Sequence, residues 1–171
     1  MANLTRFMNP ARAGVAIAAI AAATLAGAWF FQLVLGLTPC PLCFDQRVPY
    51  YVAVPLGLLV GFLARDSNRK EAVRAGFIAL AVLFVIGAGI GVYHAGIEWK
   101  FWPGPTACSG AGLPASGDLL DSLKNPPRFV SCDEASWRFL GISLAGYNVL
   151  IAGMLAWIAA RTAYGSSSVS Q

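Results

Sequence analysis

Charge is what this chain has least of. Only 12% of its 171 residues are Asp, Glu, Lys or Arg, and 57% are hydrophobic, whereas a soluble domain carries about 25% charged residues. That shortage excludes an ordinary soluble fold, and a mean hydropathy of +0.64 agrees. Histidine occurs once, as His94. No Gly-rich dinucleotide fingerprint follows a strand-like run, and no His follows Cys43 to complete a haem-attachment motif. The segments outside the apolar runs are too small to enclose a flavin. A net charge of +4 would point to nucleic acid in a soluble protein. Here the basic residues gather at the ends of apolar runs, which is the mark of membrane orientation, so nucleic acid is not an expected partner.

What fills the chain instead is a set of four long apolar runs. The first, residues 13–35, is uncharged and long enough to cross about 30 Å of hydrocarbon. A cleaved signal peptide is the alternative, given the small residues Ala26-Gly27-Ala28. The run exceeds the usual apolar core of such peptides and continues past that site, so a retained span is expected. The second run, residues 48–64, opens with Pro49 and is interrupted by Pro55, a kink that a membrane bundle tolerates. Residues 65–71 are too polar to lie anywhere but in water. The third run, residues 75–95, carries Gly87 and Gly91 at the small-xxx-small spacing that lets helices approach closely. The fourth, residues 139–160, is closed by Arg161, and its Ser143, Tyr147 and Asn148 read as interhelical hydrogen-bonding groups.

The expected fold is therefore an all-α integral membrane protein, a four-transmembrane-helix bundle in a single membrane domain. Its outer loops cover residues of about 36–47 and 97–136, and residues of about 165–171 read as a disordered tail. In the longer loop, Ser116 to Leu123 form either a short surface helix capped by Ser116 or a plain loop. Seven basic residues fall on one side of the bundle: Arg6, Arg12, Arg65, Arg69, Lys70, Arg74 and Arg161. Five fall on the other, over longer loops: Arg47, Lys100, Lys124, Arg128 and Arg138. The imbalance predicts that both termini are cytoplasmic. All four cysteines then lie on the outer side, where disulfides persist. Trp99, Phe101, Trp102 and Trp137 suit an aromatic belt at that same interface.

The cysteines split into a tight CxxC pair, Cys40 and Cys43, and a wide pair, Cys108 and Cys132. A ribbon-type zinc site wants two CxxC knuckles, and the wide pair is too far apart to make one, so no metal is expected. A thiolate at the mouth of a spanning helix feels that helix's partial positive charge and the guanidinium of Arg47, and both favour reactivity. A disulfide between Cys108 and Cys132 would close a loop of about 25 residues, worth roughly 3–4 kcal/mol in the chain-entropy model. Such a bond either braces the loop or relays electrons by exchange with the CxxC pair.

A CxxC at the membrane surface is well placed to meet a lipid-soluble electron carrier, which points to a quinone. Arg47 is a candidate to stabilise negative charge on a quinone oxygen, and Gln46 to hydrogen-bond nearby; Arg47 is otherwise a snorkelling interface residue. His94, followed by Glu98, either hydrogen-bonds or protonates a quinone oxygen or is a satisfied interface histidine.

Pro39-Cys40-Pro41-Leu42-Cys43 followed by Gln46-Arg47-Val48-Pro49-Tyr50-Tyr51 resembles the bacterial disulfide bond formation protein B (DsbB) family. Tyr93-His94-Ala95-Gly96-Ile97-Glu98 and Cys132 before Trp137-Arg138-Phe139-Leu140-Gly141 extend the likeness. The resemblance implies a quinone-dependent protein-disulfide oxidoreductase of the bacterial inner membrane, with its redox loops facing the periplasm. Its partner would be a DsbA-like thioredoxin-fold oxidase, and its electron acceptor ubiquinone or menaquinone. Cys108 would form the mixed disulfide with that partner, and Cys132 would resolve it and pass electrons to Cys40. Cys43 would react with the quinone beside Arg47. Some family members carry Glu where Gln46 stands here. A paralogue serving another thioredoxin-like partner, a vitamin K epoxide reductase-like protein and a non-catalytic scaffold with structural disulfides are the alternatives. The early position of the CxxC argues against the second of these.

Overall fold

The computed structural model describes residues 9–105 and 132–165. It is mostly helical: α1 (Pro10–Leu33), α2 (Pro41–Asp45), α3 (Val48–Leu63), α4 (Lys70–Glu98) and α5 (Leu144–Gly165). Four of its helical stretches are long and apolar enough to cross a membrane: α1, α2 with α3, α4 with the 3-10 turn before it, and α5. Cys108, the segment Ser116 to Leu123 and residues 166–171 lie outside the described residues.

Local chemistry fixes the helix ends. Asn9 caps α1 by accepting the Ala11 N–H at 2.9 Å, and Pro10 occupies the first turn. Asp66 caps the turn before α4, where the Asn68 N–H and then the Arg69 guanidinium hold its carboxyl below the usual range. At the other end of α4, Phe101 N–H bonds Gly96 O and Lys100 N–H bonds Ile97 O, a Schellman stop. Lys100 takes the left-handed position usually given to Gly, with φ 62°, and its ammonium bonds Asp133 at 2.6 Å. The Trp102 indole then folds back over Gly96 and donates to Tyr93 O at 2.9 Å.

The fourth long helix starts at Leu144, later than the expected Phe139. Arg138–Phe139 (β1) and Ile142–Ser143 (β2) pair antiparallel instead, with Leu140-Gly141 as the two-residue turn. Both turn residues have positive φ, 51° and 80°, the backbone of a type I′ hairpin. The apolar run masked this because a short apolar stretch reads alike as strand or helix. Tyr147 OH donates to Phe139 O at 3.2 Å and ties the hairpin to α5.

The helices pack mainly in two pairs, α1 with α3 and α4 with α5, and α3 joins the pairs through α4. Lipid is as apolar as the side chains, so association in the membrane rests on close packing and on hydrogen bonds. A Cβ on Gly14 would meet Gly57 O and Gly61 Cα at 2.7 Å, so α1 and α3 touch backbone to backbone. Gly87 lies under Pro49, and Gly91 lies under Val149 and Asn148. Tyr50 OH donates to Asn148 Oδ1 at 2.6 Å, and Asn148 Nδ2 donates to Gly87 O at 3.4 Å. Asn148 thus joins α3, α4 and α5. The outward faces carry exposed Leu33, Phe62, Val85 and Trp157, as lipid-facing surface should.

This packing makes Gly14→Ala costly. Unfolding in mixed micelles should show a loss of about 1–3 kcal/mol, the usual penalty for overfilling a tight contact. Gly153→Ala, where nothing lies within 4 Å of the new methyl, should be neutral. Equal losses at both positions would mean that close approach is not what Gly14 provides.

Candidate redox site

Cys40 is the N-cap of α2, and Pro41 fills the first position, where no N–H is required. The cap is made by sulfur, since the Cys43 N–H points to Cys40 Sγ over 3.2 Å. The turn thereby places the two free thiols in contact, with their sulfurs 2.6 Å apart. Cys40 is buried and Cys43 half-buried. The helix that opens at this dithiol, α2, is a single turn at the start of the stretch that continues into α3. Two charged side chains act on Cys43, Arg47 positive and Glu98 negative. The Cys40 thiol holds its proton well above the ordinary range, first through its hydrogen bond to Cys43 and then through burial.

His94 reaches the dithiol from the last turns of α4. Its Nε2 lies 3.6 Å from Cys40 Sγ and 3.8 Å from Glu98 Oε1. Its Nδ1 lies 2.6 Å from Gln46 Nε2, and the ring also hydrogen-bonds the Cys132 backbone. Gln46, His94 and Glu98 are 6%, 4% and 7% exposed, so this polar cluster is effectively dry. An amide offers Nδ1 either a donor or, after a half-turn, an acceptor, and so sets what Nε2 presents to Cys40. The Ser143 hydroxyl hydrogen-bonds the Glu98 carboxyl, whose Oε2 has no partner among the described residues.

Cys132 is disulfide-bonded and packs with Cys40, Leu42 and Ile97 in one small cluster. Arg47 Nη1 donates to Gln32 Oε1 at 2.7 Å, and its guanidinium lies over Phe44, 5.3 Å from the ring centroid. Contact between α1 and α5 is sparse. A cavity of about 670 Å³ fills the gap between them and reaches Cys40, Cys43 and Arg47. Its walls are mainly apolar and include Ile20, Phe31, Trp137 and Ile151. Trp137 packs on Phe31 at 5.0 Å between ring centroids and stacks on Phe139 at 5.8 Å. It forms part of the cavity wall.

A family model described as "Disulfide bond formation protein DsbB" matches residues 10–162. The chain belongs to the DsbB family. Among curated proteins named Disulfide bond formation protein B, that of Marinobacter nauticus is 30% identical over 147 residues, 80% of this chain and 81% of its own. That of Xylella fastidiosa is 32% identical over 133 residues, 73% of each chain. That of Aromatoleum aromaticum is 31% identical over 144 residues, 81% of this chain and 82% of its own. No solved structure matches the chain. DsbB membership carries disulfide-bond oxidoreductase chemistry in a multi-pass membrane protein, with which the four apolar helices agree.

In this DsbB-family chain Cys40, Cys43, Gln46, Arg47 and His94 converge on one cavity, while Cys108 lies outside the described residues. Gln32 and Glu98 belong to the same site and were not assigned from sequence. Gln32 had one available signal, an isolated amide near the end of an uncharged run. Glu98 had another, its place one turn after the only histidine.

The two thiols should react unequally. With iodoacetamide on the reduced protein, peptide mapping should find Cys43 carboxamidomethylated well before Cys40. An ordinary thiol gains roughly tenfold in thiolate between pH 7 and pH 8.5. Cys40, whose proton is held above that range, should stay slow across the same interval. Comparable labelling of both at pH 7 would contradict the arrangement.

Proposed function

We propose that this chain generates disulfides by drawing electrons from a reduced DsbA-like thioredoxin-fold oxidase and delivering them to a membrane quinone. The observation that carries the proposal is the dithiol at the end of an apolar cavity walled by spanning helices. Its volume lies within the range of about 300–1,000 Å³ usual for small-molecule sites. Gln46, Arg47 and His94 line the cavity beside the dithiol, which suits a flat ring with two carbonyl oxygens and an apolar tail. A bound quinone, ubiquinone or menaquinone, would accept two electrons and two protons as Cys40 and Cys43 close into a disulfide.

The side chains divide the work. Cys43, the more accessible sulfur, faces the acceptor. Cys40 keeps its proton until His94, at 3.6 Å, draws it away, and its sulfur then closes the bond to Cys43. Arg47, steadied by Gln32, places positive charge where negative charge develops, a preorganised arrangement that needs no rearrangement during reaction. Gln46 orients the His94 ring. Electrons arrive by thiol–disulfide exchange, each step forming one S–S bond as another breaks. The resemblance assigns Cys108 to the mixed disulfide with the partner and Cys132 to the transfer to Cys40. The packing of Cys132 against Cys40 supports the second assignment. The excess of basic residues at the opposite end of the bundle supports a bacterial inner-membrane orientation with cytoplasmic termini and periplasmic redox loops.

The decisive assay is anaerobic quinone reduction by the purified protein in detergent, with reduced DsbA as donor. Oxidised-quinone absorbance should fall as DsbA becomes oxidised. Cys40→Ser and Cys43→Ser should abolish quinone reduction. Cys108→Ser should abolish oxidation of DsbA while the CxxC still reacts with quinone. Normal turnover in any of the three would sink the relay, and thiols inert to both donor and quinone would leave a scaffold braced by disulfides. Separately, Arg47→Ala should raise the KM for quinone by about tenfold, equivalent to about 1.4 kcal/mol, and Arg47→Lys should recover part of that loss.

A further inference from the structure

We propose that the reduced Cys40/Cys43 dithiol and His94 form an inhibitory binding site for a thiophilic divalent cation, zinc above all. The two sulfurs and the imidazole nitrogen lie within 4.8 Å of one another. The imidazole stands 54 and 51 positions along the chain from Cys40 and Cys43, which is why the spacing of the cysteines alone gave no sign of a third ligand. The proposal does not depend on the quinone reading, because it concerns only the donor atoms of the reduced site.

Zinc takes Cys sulfur at about 2.3 Å and His nitrogen at about 2.0–2.1 Å, so tetrahedral donors sit roughly 3.3–3.8 Å apart. Cys40 Sγ and His94 Nε2, at 3.6 Å, already have that separation. The sulfurs, at 2.6 Å, need to spread by about 1 Å, which a change of the half-buried Cys43 rotamer provides. A further donor stands close by. Glu98 Oε1 is 3.8 Å from the same His94 nitrogen, and its Oε2 is buried with no hydrogen-bond partner among the described residues. That carboxylate is the nearest group for the fourth position.

The surroundings suit the ion as well. Gln46 holds Nδ1. With the amide oxygen accepting from Nδ1–H, the ring gives up its hydrogen bond to the Cys132 backbone to turn the Nε2 lone pair on the ion, and Gln46 is then the usual outer-shell partner of a ligating histidine. Two thiolates and a neutral imidazole cancel the charge of the cation. The one negative charge that the Glu98 carboxylate adds is offset by the Arg138 guanidinium that acts on it, so no bare charge is left in an apolar pocket. Binding exchanges the ion for the two thiol protons, and no electrons move. The disulfide form has no thiolate to offer. The site therefore exists only in the reduced state, and an ion held there ties up both sulfurs that must react.

The test uses the full chain carrying Cys108→Ser and Cys132→Ser, so that Cys40 and Cys43 are its only thiols. After anaerobic reduction and removal of the reductant, zinc is titrated against a chromophoric chelator, and cadmium is followed by its thiolate charge-transfer absorbance. One ion per reduced chain and none per oxidised chain is the expected result. Adding His94→Ala should weaken binding by roughly 10–100-fold, a loss at least as large as that for an outer-shell partner. Equal binding by the oxidised chain would overturn the proposal without any substitution at the site. Undiminished affinity in His94→Ala would overturn it too, by reducing the site to a loose dithiol chelate.

Discussion

The His94 ring is the constraint on which the redox end of this molecule depends. It is buried at the end of an apolar helix, where a polar group must find partners inside the protein. It finds them on three separate pieces of chain: Gln46 just after α2, Cys40 at its cap, and the backbone of Cys132 beyond the long loop. Satisfying one ring therefore fixes the position of the dithiol relative to α4 and to the segment that carries Cys132. Glu98, one turn further along α4, comes into the same cluster as a consequence. A five-residue helix such as α2 has little stability of its own. It holds its place because its two ends are tied to this buried network.

That network requires the helices to stand at fixed heights and separations, and small residues set those separations. Gly14 against Gly57 and Gly61 brings α1 onto α3, and Gly91 brings α4 onto α5. The Tyr50–Asn148–Gly87 hydrogen bonds lock the two pairs together. Between α1 and the last helix, α5, contact is sparse, and Phe31 of α1 packs instead on Trp137 of the segment before α5. The cavity beside the dithiol is thus a product of uneven packing: tight on two sides of the bundle and propped open on another. A uniformly close-packed bundle of the same helices would have no room for an acceptor.

The four spans were legible in the sequence because the thickness of a bilayer imposes a length that apolar runs either meet or miss. The dithiol and Arg47 were legible because they sit within a few residues of one another. What could not be read were the contacts made across the bundle. Gln32 meets Arg47 over fifteen positions, and Glu98 meets Ser143 on the hairpin; neither distance leaves a periodicity. The hairpin was missed for a different reason. Leu140 occupies a left-handed turn position where Asn or Gly would have given warning, and its apolar neighbours merged with the helix that follows. The Lys100 stop hides in the same way, with an ion pair to Asp133 beside a backbone position that glycine usually fills.

A site that holds two thiols against an imidazole and a buried carboxylate faces a chemical conflict. On the proposed function Cys43 is the electron donor, and a close hydrogen-bonded partner and a nearby cation suit its sulfur to that role. Anionic sulfurs beside a fixed imidazole are also what soft cations seek. Geometry does not separate the two outcomes, because both use Cys40, Cys43 and His94 in nearly the same positions. On the proposed function the separation is one of time. Transfer to the acceptor removes the thiolates as the disulfide forms, so the site is vulnerable only while it is reduced. A cavity that keeps the acceptor beside Cys43 shortens that interval. On that same proposal, apolar walls that admit a lipid-soluble acceptor also help keep the dithiol in the oxidised form that a metal ion cannot bind.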